Sequence, residues 1–221
     1  SIYFLTMASK SMRAVCFELG FIYHYGIHIQ QDILKAISYY KEASSIDVQY
    51  AKNNLAMIYK NGFDNIVKKN ITYSIELFNE AINKKSDILS MYNLAHTYFY
   101  EEMMNAYFDK TVDLLIKSIN EKFSPSFELL CLVLVKQFNF DIQSIENEII
   151  KRKKDLNDDH MSNSIIQFIK INNLLIKSVF DRFYKLYKHC TFIYAYNKKI
   201  VYSSEIKNQS FPQKKKFKKN M

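Results

Sequence analysis

Ala51-Lys52-Asn53-Asn54-Leu55-Ala56-Met57-Ile58-Tyr59-Lys60-Asn61-Gly62 is the stretch that decides the fold. Within it, Leu55, Ala56, Tyr59 and Gly62 spell Leu-small-x-x-Tyr-x-x-Gly. The same spelling stands earlier as Leu19, Gly20, Tyr23 and Gly26. It returns, worn, as Leu94, Ala95 and Tyr98, with Glu101 in the place of glycine. A fourth echo runs Leu130, Cys131, Leu134, Gln137, and the four leucines are 36, 39 and 36 residues apart. Self-similarity at that period marks an all-α solenoid of antiparallel helix pairs, each burying its apolar face against its neighbours.

The chain has three glycines in 221 residues, and the repeat accounts for all of them. Gly26 and Gly62 stand three residues past the tyrosine, where a helix must stop. A left-handed residue there costs a non-glycine side chain about 1–2 kcal/mol. Gly20 aligns with Ala56 and Ala95, which predicts a close approach of another helix at that site. The second helix of each unit has its own start signal. Asp32 and Asn70 are predicted to cap with their side-chain oxygens, and Asp109 is predicted to continue that series. Ser124-Pro125 predicts a further start, with Ser124 as cap and Pro125 at the first helical position.

Beyond Phe140 the repeat fades. Ile142 to Leu156 reads as an amphipathic helix with Ile145, Ile149 and Ile150 on one side, Asn157 to Asp159 as a break, and Met161 to Tyr187 as a long helix. These two helices are expected to cap the array, because a terminal unit must cover the last apolar face. Thr191 to Ser203 is β-branched and aromatic around Asn197-Lys198-Lys199, which is consistent with a hairpin. The expected organisation is a repeat array over residues 1–139, C-terminal capping helices over 140–190, and a hairpin with a lysine-rich tail over 191–221. Ser1 to Ala8 resembles the second helix of a preceding unit, so the array is expected to begin mid-unit.

Composition narrows the function. The net charge is +9, but residues 191–221 hold eight lysines and one acid, so the other 190 residues carry only +2. A nearly neutral body argues against a nucleic-acid groove on the repeats, which would need a basic stripe. Nucleic-acid or anionic-membrane association is therefore confined to the tail. Three scattered cysteines, Cys16, Cys131 and Cys190, form neither a disulfide framework nor a zinc spacing. They point to a reducing, cytoplasmic compartment, with the nucleus also open. His24 and His28 lack a third ligand, so no metal site is expected. Without a phosphate loop or an oriented nucleophile, the sequence predicts no enzyme, no cofactor and no small-molecule substrate.

The residues Leu19, Gly20, Tyr23, Gly26, Asp32, Lys35, Ala36, Tyr40 and Ala43 resemble one unit of the Sel-one-like repeat family, relatives of tetratricopeptide repeats. Ala51, Asn54, Leu55, Ala56, Tyr59, Gly62 and Ala81 resemble a second unit. Asn93, Leu94, Ala95 and Tyr98 resemble a third. The resemblance implies an α/α superhelix acting as an adaptor or scaffold for protein partners. Such arrays also occur fused to kinase domains, which makes a regulatory region of a larger enzyme the alternative.

Extended concave surfaces are how repeat proteins bind, and the first helix of each unit is expected to line that side. Residues recurring along those helices form a candidate partner-binding strip: Phe17, Phe21 and His24; Asn53, Met57 and Lys60; Tyr92, His96 and Phe99. Several of them, Phe17 and Phe21 especially, equally suit a core.

Overall fold

The computed structural model describes residues 15–45, 49–156, 159–188, 192–194 and 200–202. The expectations for Ser1 to Ala8, Asn157-Asp158, Cys190, the Asn197-Lys198-Lys199 turn and the lysine tail lie outside the described residues. Nine helices are described: α1 (Val15–Tyr25), α2 (Ile33–Ser45), α3 (Gln49–Asn61), α4 (Ile71–Lys85), α5 (Ile88–Tyr100), α6 (Met104–Asn120), α7 (Pro125–Gln137), α8 (Ile142–Lys151) and α9 (Asp159–Tyr187). Strand β1 (Phe192–Tyr194) pairs antiparallel with β2 (Ile200–Tyr202), with Phe192 opposite Tyr202. The chain forms two compact units, one spanning Ser1–Ser74 with Phe192–Met221 and the other Ile75–Thr191. Their boundary falls inside α4.

In the first unit α2 packs between α1 and α3, and β1 lies against α3. Gly26 and Gly62 end α1 and α3 in the left-handed region, at φ 65° and 69°. Each loop then turns back on its own helix. The Asp32 N–H donates to the Tyr23 carbonyl at 3.0 Å, and the Asn70 N–H to the Tyr59 carbonyl at 2.7 Å. As predicted, both residues cap: Asp32 Oδ1 accepts from the Lys35 N–H and Asn70 Oδ1 from the Tyr73 N–H, each at 3.0 Å.

Gly20 supplies the predicted close approach, because a Cβ built there would lie 2.6 Å from Tyr40 Cδ1. Tyr40 is fully buried. Its hydroxyl accepts from Asn54 Nδ2 at 3.3 Å and meets His24 Nδ1 at 3.4 Å. Burial, reinforced by Tyr25, pushes this phenol well above its ordinary pKa, so it stays neutral and keeps its place in the network.

In the second unit α5 packs on α6 and α7, and α9 on α7 and α8. The same hinge recurs, but its residues differ from the expected ones. The Met103 N–H donates to the Tyr98 carbonyl at 3.0 Å, so Met103 occupies the place that Asp32 and Asn70 hold. The loop is shorter here, and the left-handed residue moves one position on, to Glu102 at φ 57°. Asp109 is therefore not a cap: α6 has already begun at Met104. Asp109 instead receives Arg152. That guanidinium also meets Asp113 and Glu148, tying the end of α8 to α6.

Two further expectations are corrected. Ser124 makes no side-chain cap, because its own backbone is already helical at φ −55°, ψ −34°; Pro125 does open α7. Ile145 and Ile149 are buried, but Ile150 is 61% exposed and belongs to the outer face of α8. Two caps that the periodicity passed over are Asp87, accepting from the Ser90 N–H at 2.8 Å, and Asp141, accepting from the Ser144 N–H at 3.2 Å.

Candidate partner-binding surface

All eleven residues of the repeat signature lie on α1, α3 and α5 or at their ends, and they build the units. Leu19, Leu55, Ala56, Leu94, Ala95 and Tyr98 are at most 1% exposed. The repeat tyrosines pair with rings from the following helix: Tyr23 stacks on Tyr39 at 5.6 Å, Tyr59 meets Tyr73 edge-on at 4.7 Å, and Tyr98 stacks on Tyr107 at 4.4 Å. Lys35 and Lys110 sit over the Tyr23 and Tyr98 rings at 5.3 and 5.6 Å. Burial, with Tyr107 adding to it, raises the Tyr98 pKa to about 12.

The nine residues of the expected strip are placed differently from a surface: every one is buried. In the first unit Phe17, Phe21 and His24 are at most 8% exposed, and Asn53, Met57 and Lys60 at most 5%. Phe17 packs against Tyr40 and Tyr50, each at 6.0 Å. Phe21 and His24 both pack on Tyr25. Asn53 donates to Asn54 at 3.3 Å and so joins the Tyr40 network. In the second unit Tyr92, His96 and Phe99 are wholly buried. Tyr92 meets Phe123 at 5.5 Å and His96 meets Tyr100 at 4.4 Å.

The physical reason is that other parts of the chain cover these first helices over most of their length. Helix α5 is buried at every position from Leu89 to Tyr100, and a helix apolar all round belongs inside. The outer cover on Phe99 is a later part of the same chain. The Tyr184 ring of α9 lies 5.5 Å from Phe99 and 4.8 Å from Tyr100. Lys136 of α7 holds the arrangement from the side. Its Nζ sits 4.9 Å from the Phe99 ring centre and 4.5 Å from that of Tyr184, and donates to the Tyr184 hydroxyl at 3.2 Å. Phe180, one turn before Tyr184, meets Phe140 at 5.4 Å. Tyr100, Lys136, Phe140, Phe180 and Tyr184 were not singled out by periodicity.

Among the described residues no group of His, Cys, Asp or Glu is placed to hold a metal ion, and no helix is long and apolar enough to cross a membrane. A recess with only about 10 Å³ of free space is lined by Val112, Ile116, Leu134, Ile149, Arg152 and Ile165 among others. It is a packing gap between α6, α7, α8 and α9. Burial drives the Cys131 thiol far up from its ordinary pKa, which leaves it a poor nucleophile.

Comparison with known proteins agrees with the helix pairs. The Sel1 repeat model matches residues 14–47, 49–86 and 88–102. No curated protein matches the chain. Among solved structures, the protective antigen c5321 of uropathogenic Escherichia coli, which displays an SLR fold, is similar with a TM-score of 0.51 and 22% identity over 59% of this chain. A Sel1 repeat protein from Oxalobacter formigenes is similar with a TM-score of 0.51 and 18% identity over 67% of this chain. The similar regions span 27% and 60% of those two chains, and the likeness to both is one of fold. Residues 14–102 are thus Sel1 repeats, an all-α repeat family that typically mediates protein–protein interaction.

Proposed function

We propose that this chain is a non-catalytic adaptor that holds a protein partner on the first-helix side of its helix pairs. The observation that carries the reading is the seat in the second unit. Phe99 and Tyr100 of α5 and Lys136 of α7 together receive a helix, α9, through an aromatic side chain. Aromatic anchors in a desolvated pocket with a cationic neighbour are what carries energy at protein interfaces. The buried thiols of Cys16 and Cys131 suit a reducing compartment, where we place the protein.

Site-specific photo-cross-linking tests this. A benzoylphenylalanine is placed at Gln137, which is exposed and follows Lys136 in the chain, or at Leu34, exposed on a second helix. The expected result is a protein adduct from Gln137 and none from Leu34. The partner, identified by mass spectrometry and purified, then binds the intact chain with little dependence on salt. Equal cross-linking from both positions overturns the reading. So does binding that falls steeply with ionic strength and vanishes when residues 211–221 are deleted, which assigns the contact to the basic tail.

A further inference from the structure

We infer that Asn61-Gly62 is a site of spontaneous covalent modification, at which water converts Asn61 to isoaspartate whenever the last turn of α3 opens. The inference involves no partner and stands apart from the adaptor reading.

Asn-Gly occurs once in the chain. Glycine has no side chain to shield its nitrogen, so among the asparagines this one has the most open neighbour. Asn61 is exposed and is the last residue of α3. In the reaction the Gly62 nitrogen bonds to Asn61 Cγ. The Cγ–Nδ2 bond breaks, and Nδ2 leaves as ammonia with the Gly62 amide proton. Water then opens the five-membered imide. Cleavage at Cγ gives aspartate, and cleavage at the main-chain carbonyl gives isoaspartate, whose backbone runs through Cβ and Cγ.

The fold keeps the reacting atoms apart. The Gly62 N–H donates to the Ile58 carbonyl at 2.9 Å, so its proton is engaged in the last bond of the helix. The helical backbone at Asn61 turns the Gly62 nitrogen away from Cγ. The loop beyond is closed as well, by Phe63 pairing with Val67 through an N–H to carbonyl bond of 2.8 Å. Ring closure therefore waits on local opening, and a helix end opens well below the free energy of global unfolding.

The same geometry gives the product a consequence. Isoaspartate inserts an extra atom into the main chain just where the path is tightest. The Val67 carbonyl oxygen and the Lys69 nitrogen each stand 3.0 Å from where a Cβ on Gly62 would lie. The bond from the Asn70 N–H to the Tyr59 carbonyl depends on that path. The new carboxylate also stands at the negative end of the α3 dipole. Modified chains thus lose the joint that closes α3.

The test ages the full chain in mildly alkaline buffer, native and unfolded in guanidinium chloride. Tryptic mapping by mass spectrometry, with aspartate and isoaspartate products separated, follows every asparagine. In the unfolded chain Asn61 is expected to react ahead of all others. In the native chain it reacts at least about tenfold more slowly, in step with the hydrogen-exchange protection of the Gly62 amide. Equal rates in the two states overturn the gate, and another asparagine reacting first in the unfolded chain overturns the site. The Asn61→Asp chain carries the charge without the extra backbone atom. Aged chain enriched in isoaspartate is expected to melt below both the fresh chain and Asn61→Asp. Melting at the Asn61→Asp temperature refutes the loss of the joint.

Discussion

Gly20→Ala separates packing from helix propensity by the sign of its effect. An alanine in place of glycine inside a helix ordinarily stabilises it by about 1 kcal/mol. At Gly20 the new methyl would stand 2.6 Å from Tyr40 Cδ1 and 2.8 Å from Cε1, about 1 Å inside a comfortable carbon–carbon separation. The Tyr40 ring cannot swing away cheaply. It is fully buried, its hydroxyl is engaged by Asn54 and His24, and Phe17 packs at 6.0 Å. Overpacking of this kind costs about 1–3 kcal/mol. Set against the propensity gain, the net is a loss of up to about 2 kcal/mol, or up to roughly 8 °C in melting temperature for a chain of this size. Thermal and urea unfolding followed at 222 nm measure it, with Gly20→Val expected to be worse. A Gly20→Ala chain that melts at or above the wild-type temperature would refute the argument that α1 and Tyr40 approach as closely as described.

Two further substitutions carry opposite signs. Glu102 is exposed and left-handed at φ 57°, so Glu102→Gly should relieve about 1–2 kcal/mol of backbone strain. It gives back part of that through the freer unfolded chain, and a net rise of about 0.5–1 kcal/mol in urea unfolding is the expected outcome. Met57 is 2% exposed, so Met57→Glu would bury an uncompensated carboxylate and cost several kcal/mol; loss of cooperative melting near neutral pH is expected, where a surface position would leave the melting curve unmoved.

The parts of the fold legible in the sequence are those where a local backbone demand admits few residue types. Gly26 and Gly62 are readable because only glycine takes the left-handed region without strain, and Asp32 and Asn70 because few side chains cap a helix. The third unit is harder to read for the same physical reason in reverse. Its left-handed position shifted to Glu102 and its hinge residue became Met103, neither of which advertises its role. Asp109 looked like a cap by spacing and is instead a partner of Arg152 from forty-odd residues away, a contact that no periodicity encodes. The binding strip failed on orientation. Spacing along α1, α3 and α5 identifies which side chains share a face, yet it cannot reveal that α9 and β1, far along the chain, come back to lie on α5's Phe99 and on α3 respectively.

The bond from the residue just before each returning helix to the repeat tyrosine's carbonyl survives while the residues making it change from Asp32 to Asn70 to Met103. It asks only for a backbone N–H, which every amino acid but proline can offer. The connecting segment can therefore lengthen, shorten or drift in composition from unit to unit, provided that one amide arrives. Repeats of unequal sequence length can thus keep the same internal pairing of their helices, and this edge of each unit is where natural insertions should collect and where a grafted epitope or reporter loop would be accepted with least disturbance.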